Sequence, residues 1–142
     1  MALVVDDHLL LDLLTETHPA WLADELQRHT VYTTGSWFYR VALAMRRGTG
    51  SGTLSSRLTD LDPADQRRLL DKIGELPEWI GLIGPRVLVP VMADLAVHRQ
   101  PNLLTAEALA AALVTEATIC VSVDSPLLRS GAADLEIGYR LV

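Results

Sequence analysis

The chain has 142 residues, of which 49% are hydrophobic and 5% aromatic, so it is long enough to form one domain around an aliphatic core. Its 12 basic and 18 acidic residues give a net charge of 12 − 18 = −6. This charge argues against broad, non-specific binding of nucleic acid but leaves room for a local basic surface. Cys120 is the single cysteine, which excludes an intramolecular disulfide and a cysteine-based zinc site.

The N-terminal region does not have the pattern of a secretory signal. Acidic residues at Asp6, Asp7 and Asp12 interrupt its apolar run. No uninterrupted apolar stretch approaches the ~20 residues that span a bilayer. We therefore expect a soluble protein of the reducing cytoplasm that does not bind membranes.

The first part of the chain is predicted to alternate strands and helices. Residues 2–5 (ALVV) are apolar on both faces, which is typical of a strand buried in a parallel sheet. A helix is expected from about residue 7, and a second one over 19–28. The β-branched residues of 30–34 predict a strand, and a helix should follow over 36–47.

The rest of the chain continues this alternation. Residues 46–53 (RRGTGSGT) predict a loop inside the domain, and Asp62 followed by Pro63 predicts the start of a helix that ends near residue 76. The remaining predicted elements are a strand over 79–83, a helix over 87–99 that starts near Pro90, a helix capped by Thr105, and strands over 118–123 and 137–142.

Strands that alternate with helices predict a single domain over residues 1–142, with the α/β architecture of a three-layer α/β/α sandwich and a mostly parallel sheet. In such sheets, binding sites form beyond the carboxyl ends of the strands. Asp6 and Asp124 each follow an apolar strand. They should reach the same edge of the sheet if their strands are neighbours.

Three acidic residues are candidates for a shared site at this edge: Asp6, Asp124, and Glu107 in the first turn of a helix. Two or three converging carboxylates can hold Mg²⁺ or Mn²⁺, which prefer oxygen ligands. The alternative is that each has a structural role, because acids are favoured at helix N-termini and in turns. Asp7 is better explained as the cap of the first helix, and it is an additional candidate for contact with the ion.

Two stretches resemble the opening and the closing of PIN domains. LVVDDHLLLDLL has an aspartate that closes the first strand, and TAEALAAAL followed by TICVSVDSPLL has an acid before a small-residue helix and a strand ending in aspartate. The order of elements fits nearly the whole chain, and its length is similar to that of VapC-type toxins. The resemblance implies an endoribonuclease with Mg²⁺ or Mn²⁺ as cofactor, a homodimer, and a small antitoxin as partner. It also implies that Asp6, Glu107 and Asp124 are the catalytic metal ligands.

The chain departs from the PIN pattern at one position. The family has a glutamate on the helix after the second strand, where an ungapped alignment places Arg40 in this chain. Arg40 would either pair with Asp6 or Glu107 and compete with the metal, or bind a phosphate of the substrate. Asp7 would replace the missing ligand only in part.

Six arginines are concentrated between positions 40 and 68: Arg40, Arg46, Arg47, Arg57, Arg67 and Arg68. Arg46 and Arg47, beside the glycine-rich loop, are candidates for contact with an RNA backbone. The alternative is a solvated surface with ion pairs. The aromatic run over 37–39 is expected in the core or at a dimer interface.

Two functions from different classes therefore follow from the resemblance. The first is a metal-dependent ribonuclease, weakened by the arginine. The second is a PIN-like domain that has lost catalysis and serves as a binding or regulatory module. A plain α/β domain without either function is the third possibility, since fold alone does not determine function.

Overall fold

A sheet of five short strands forms the centre of the fold. The computed structural model describes residues 1–47 and 53–142. The strands are β1 (Ala2–Val5), β2 (Thr30–Thr33), β3 (Ile80–Leu82), β4 (Ala117–Val121) and β5 (Tyr139–Leu141). They lie in the order β3-β2-β1-β4-β5, and every neighbouring pair is parallel. The predicted α/β class and parallel sheet are confirmed.

Helices connect the strands and cover both faces of the sheet. In the described part of the chain they are α1 (Asp7–Thr15), α2 (Ala20–Arg28), α3 (Gly35–Arg47), α4 (Thr53–Thr59), α5 (Pro63–Gly74), α6 (Pro85–Arg99), α7 (Leu103–Thr115) and α8 (Pro126–Asp134). None of these helices combines the length and the apolar character that a crossing of a bilayer requires.

The central strand β1 explains the three layers. Its four residues are all buried, and alternate side chains of a strand point to opposite faces of the sheet. Val4 belongs to the cluster formed by the alanine-rich helix α7, whereas Val5 packs with Leu9 of α1 and Leu22 of α2. Because helices cover both faces of β1, all of its residues are apolar and polar residues do not alternate with them.

Two predicted helix starts were wrong. Helix α6 begins at Pro85, not near Pro90, because Gly84 takes the capping position and a proline at the first helical position loses no hydrogen bond. Pro90 lies inside this helix. Helix α7 is capped by Asn102, whose side chain accepts a hydrogen bond from the Thr105 N–H at 2.8 Å. Thr105 is therefore a helical residue rather than the cap.

The predicted glycine-rich loop falls mostly on residues 48–52, which lie outside the described residues. Its ends differ from the prediction, since Arg46 and Arg47 belong to α3 and α4 begins at Thr53. Helix α8 was not predicted. It is started by Ser125 and Pro126, in the capping and first helical positions.

We expect Gly81→Ala to destabilise the fold by about 1–3 kcal/mol, the usual cost of overpacking. Gly81 of β3 pairs with Tyr32 of β2, and a Cβ atom at Gly81 would lie 2.6 Å from Cε1 of the tyrosine ring. Denaturant unfolding measures the loss. Gly74→Ala is the matched control, because no atom of residues 1–47 or 53–142 lies within 4 Å of its added Cβ. Equal stability of the two variants would contradict this prediction.

Candidate functional site

A cleft of about 220 Å³ opens at the carboxyl edge of the sheet, beyond β1 and β4. We call it the carboxyl-edge cleft. Because β1 and β4 are neighbours, the residues that follow them meet there. The polar side chains on its walls are those of Asp6, Asp7, His8, Arg40, Thr105, Asp124 and Ser125, and the apolar ones are those of Trp37, Leu104, Val121, Val123 and Leu128.

Asp6 joins the start of α1 to the loop after β4. Its backbone is extended, and Oδ1 accepts a hydrogen bond from the Leu9 N–H at 2.8 Å, so Asp6 is the N-cap of α1. Oδ2 accepts a second bond, also 2.8 Å, from the Ser122 N–H. The residue is only 4% exposed, and this burial raises the pKa of its carboxyl group, although the two N–H donors act in the opposite direction.

Asp7 is the first residue of α1, so the prediction that it caps this helix was wrong. Its Oδ1 accepts the His8 N–H at 3.0 Å. Its Oδ2 is buried and lies 2.9 Å from Nε of Arg40. The Arg40 N–H is not directed at this oxygen, so the contact is an ion pair without a hydrogen bond. One of the two alternatives for Arg40 was an ion pair with Asp6 or Glu107, and the observed partner is Asp7 instead.

Glu107 is directed at the N-terminus of α3. Its Oε2 accepts the Ser36 N–H at 3.0 Å, and its Oε1 lies 3.3 Å from where a Cβ atom on Gly35 would stand. A glycine at the first position of α3 therefore gives the carboxylate its space. A carboxylate is favourable here because the helix N-terminus carries partial positive charge.

Asp124 lies in the loop between β4 and α8. Its Oδ1 accepts the hydroxyl proton of Tyr139 at 3.0 Å, and its Oδ2 lies 3.0 Å from Nη1 of Arg129. The Tyr139 oxygen also accepts the Ser125 N–H at 3.1 Å. Tyr139 and Arg129 were both missed by the sequence analysis. Recognising that the last strand lies beside β4 would have pointed to Tyr139.

In this structure these carboxylates are not gathered into a ligand set for a Mg²⁺ or Mn²⁺ ion. Such ions need several oxygen ligands that converge on one point. Within residues 1–47 and 53–142, no three His, Cys, Asp or Glu side chains are arranged in this way. Asp6 accepts hydrogen bonds from two backbone N–H groups, and Glu107 accepts one from the N-terminus of α3. Asp124 forms an ion pair with Arg129 and accepts a hydrogen bond from Tyr139.

Helix α3 carries a basic surface that begins at the cleft. Tyr39 is 63% exposed, and Arg46 and Arg47 are exposed at the C-terminal end. Tyr39 and Arg46, like Arg40 and Arg47, are seven residues apart, so all four share one face of the helix. We call this set the α3 strip. Within residues 30–47 no acidic residue occurs.

Two other members of the arginine-rich region form ion pairs with acidic residues. Arg57 forms an ion pair with Asp12, and Arg68 lies 3.7 Å from Asp65. Of the aromatic run, Trp37 is buried and Phe38 packs against an aliphatic cluster, so the expected core position is observed for these two. Tyr39 differs, because its ring is exposed.

No protein-family model matches the chain, and no curated protein matches it significantly. The PIN resemblance therefore rests on the quoted residues and stays a prediction.

Proposed function

We propose that the protein is an RNA-binding module of PIN-like architecture that does not cleave its RNA. The observation that carries this proposal is the place of Arg40. Where the resemblance expects a glutamate, the chain has a guanidinium that lies beside Asp7 and continues into the α3 strip. The same substitution removes a metal ligand and adds a cation.

The surroundings of the acids support the absence of metal-dependent cleavage. Bound Mg²⁺ or Mn²⁺ would supply charge neutralisation and an activated water to a ribonuclease. In this chain a positive charge already stands 2.9 Å from Oδ2 of Asp7. The other expected ligands, Asp6, Glu107 and Asp124, already form hydrogen bonds or ion pairs with backbone N–H groups, an arginine and a tyrosine.

The composition of the α3 strip supports binding of single-stranded RNA. Arg46 and Arg47 do not form an ion pair with any described residue, so their charges are available to phosphates. The exposed ring of Tyr39 offers a stacking surface for a base, which is how many proteins bind single strands. Because the whole chain carries a net charge of −6, we expect this binding to be local and sensitive to salt.

We expect the double variant Arg46→Ala/Arg47→Ala to weaken binding of a single-stranded oligoribonucleotide. Because two side chains no longer neutralise phosphates, the slope of log K against log salt should become less steep by about 1.4. Tyr39→Ala should weaken binding by about 5- to 150-fold, since the base no longer stacks on the ring. Fluorescence anisotropy over a salt series measures both effects.

The control is the double variant Arg67→Ala/Arg68→Ala, which removes the same charge from the exposed face of α5. It should keep the wild-type affinity and salt slope. Equal losses in both double variants, or no binding by the wild-type chain, would contradict the proposed function. The RNA should also remain intact during incubation with Mn²⁺.

A metal-dependent ribonuclease is the second candidate, and one observation favours it. Asp6, Asp7 and Asp124 line the same cleft. If calorimetry detected Mn²⁺ binding by the wild-type chain at millimolar ion, and if Asp6→Asn abolished both binding and cleavage, this candidate would replace the first. The homodimer and the small antitoxin-like partner stay predictions of the resemblance.

A further inference from the structure

Two polar groups of the carboxyl-edge cleft make no hydrogen bond within the described part of the chain, and one of them, Asp7 Oδ2, is a buried atom. Asp7 Oδ2 is buried, and its one partner among the residues that the structure describes is Arg40, in an ion pair. Thr105 is 5% exposed and lines the cleft, and its hydroxyl group has no hydrogen-bond partner among the described residues. A carboxylate oxygen and a hydroxyl group are thus left for a ligand.

The rest of the cleft has an apolar wall and enough volume for a ring. Its apolar wall consists of Trp37, two leucines and two valines. A closed cavity of ~150 Å³ is sufficient to bind one benzene molecule. The carboxyl-edge cleft, at about 220 Å³, therefore has room for one heterocyclic ring with its substituents.

We propose that this cleft binds a single base of the RNA and selects a base that carries an exocyclic amino group. This inference rests on the proposed function. The amino group donates a hydrogen bond to Asp7 Oδ2, as the amino group of cytosine does to carboxylates in other proteins. The Thr105 hydroxyl bonds to a ring nitrogen or carbonyl, and the apolar wall covers the face of the ring.

Uracil tests the selection, because it has the size of cytosine and places a carbonyl oxygen where cytosine has the amino group. Two acceptors would then face each other at Asp7. An acceptor that is buried without a donor is costly, so the carboxylate discriminates against uracil.

Arg40 can move from Asp7 to a phosphate of the RNA when the base binds. Its side chain covers Asp7 Oδ2 but is 49% exposed, so it can turn towards solvent when a donor from the ligand replaces the ion pair at the buried carboxylate. The amino group of the base then takes its place at the carboxylate. The released guanidinium faces a phosphate of the same strand, where it can form charge-assisted hydrogen bonds.

The experiment compares the full chain with oligocytidine and oligouridine of equal length, by fluorescence anisotropy. The wild-type chain should bind oligocytidine about 5- to 10-fold more tightly. Asp7→Asn and Thr105→Val should bring this ratio close to one while binding through the α3 strip persists. The ratio is the readout, because Asp7→Asn also frees the charge of Arg40 and raises affinity for any strand. Arg46→Ala/Arg47→Ala is the control: it should weaken both strands equally.

The outcomes separate this inference from the proposed function. Equal affinity of the wild-type chain for the two strands overturns the base selection but leaves RNA binding intact. A preference that survives in both variants overturns it as well. If neither strand binds, titration with free cytidine and uridine decides: a preference for cytidine supports the cleft and overturns only the α3 strip, and no preference overturns both.

Discussion

Replacing Asp6 with alanine is expected to lower the free energy of unfolding by roughly 2–5 kcal/mol, since a buried donor left without its acceptor costs about 1–3 kcal/mol. The carboxylate accepts the Leu9 and Ser122 N–H groups, and both would lose their partner. The start of α1 would thereby be detached from the loop that follows β4. Denaturant unfolding measures the loss.

The sign of this effect separates a structural carboxylate from a metal ligand. A metal-binding carboxylate without its ion is repelled by the acidic groups around it. Replacing it with a neutral residue therefore tends to stabilise the protein. Asp94→Ala, at an exposed aspartate of α6, is the control and should change the stability little. An Asp6→Ala variant as stable as the wild type would contradict the structural role.

The pH dependence gives a second readout. Burial raises the pKa of Asp6 in the folded state, so the folded chain binds this proton more tightly than the unfolded chain. The stabilisation from this group is complete below the unfolded carboxyl pKa and is lost as the pH rises through the raised value. The stability advantage of the wild type over Asp6→Asn should therefore widen as the pH is lowered through this range.

The parts of the fold that local signals determine could be predicted from the sequence. The apolar residues of β1 indicated a strand covered on both faces, and this predicted the parallel sheet around it. Asp62 was predicted as the cap of α5, and its side chain accepts the Asp65 N–H at 2.8 Å. Both signals lie within a few residues of the structure they specify.

The roles of the acidic residues depend on partners distant in sequence. Asp6 and Asp7 are both plausible caps from the sequence, and the second donor to Asp6 is Ser122, which lies 116 residues later. Glu107 accepts its hydrogen bond from Ser36, 71 residues earlier. Adjacent helical positions differ by about 100° in direction, so an error of one residue in the start of α1 changes which acid faces Arg40. The sequence pattern could place acidic residues at the carboxyl edge of the sheet, but it could not assign their contacts.

Replacing Arg40 with glutamate is expected to create affinity for Mn²⁺ in the carboxyl-edge cleft. The variant removes a positive charge 2.9 Å from Asp7 Oδ2 and adds a carboxylate, so the local charge changes by −2. Two unit charges ~4 Å apart interact with an energy of about 1 kcal/mol in water and about 4 kcal/mol near a protein surface. We therefore expect Mn²⁺ affinity, measured by calorimetry, to rise at least about 30-fold above the wild-type value.

The same variant should be less stable than the wild type in the absence of Mn²⁺. Asp7 is buried, and it would lose its counter-charge and gain a like charge beside it. Because an ion that binds only the folded state stabilises it, Mn²⁺ should raise the Tm of Arg40→Glu and leave that of the wild type unchanged. Arg40→Gln should share the loss of stability and bind Mn²⁺ more weakly than the glutamate variant.

Arg86→Glu is the charge-matched control, since Arg86 is exposed on α6 and is not part of the cleft wall. It changes the net charge by the same amount and should not create Mn²⁺ affinity. If Arg40→Glu behaves like this control, the alignment that places Arg40 at the position of the glutamate of PIN domains is wrong. If the wild-type chain itself binds Mn²⁺ at millimolar ion, the arginine has not displaced the metal, and the ribonuclease is the better description of the protein.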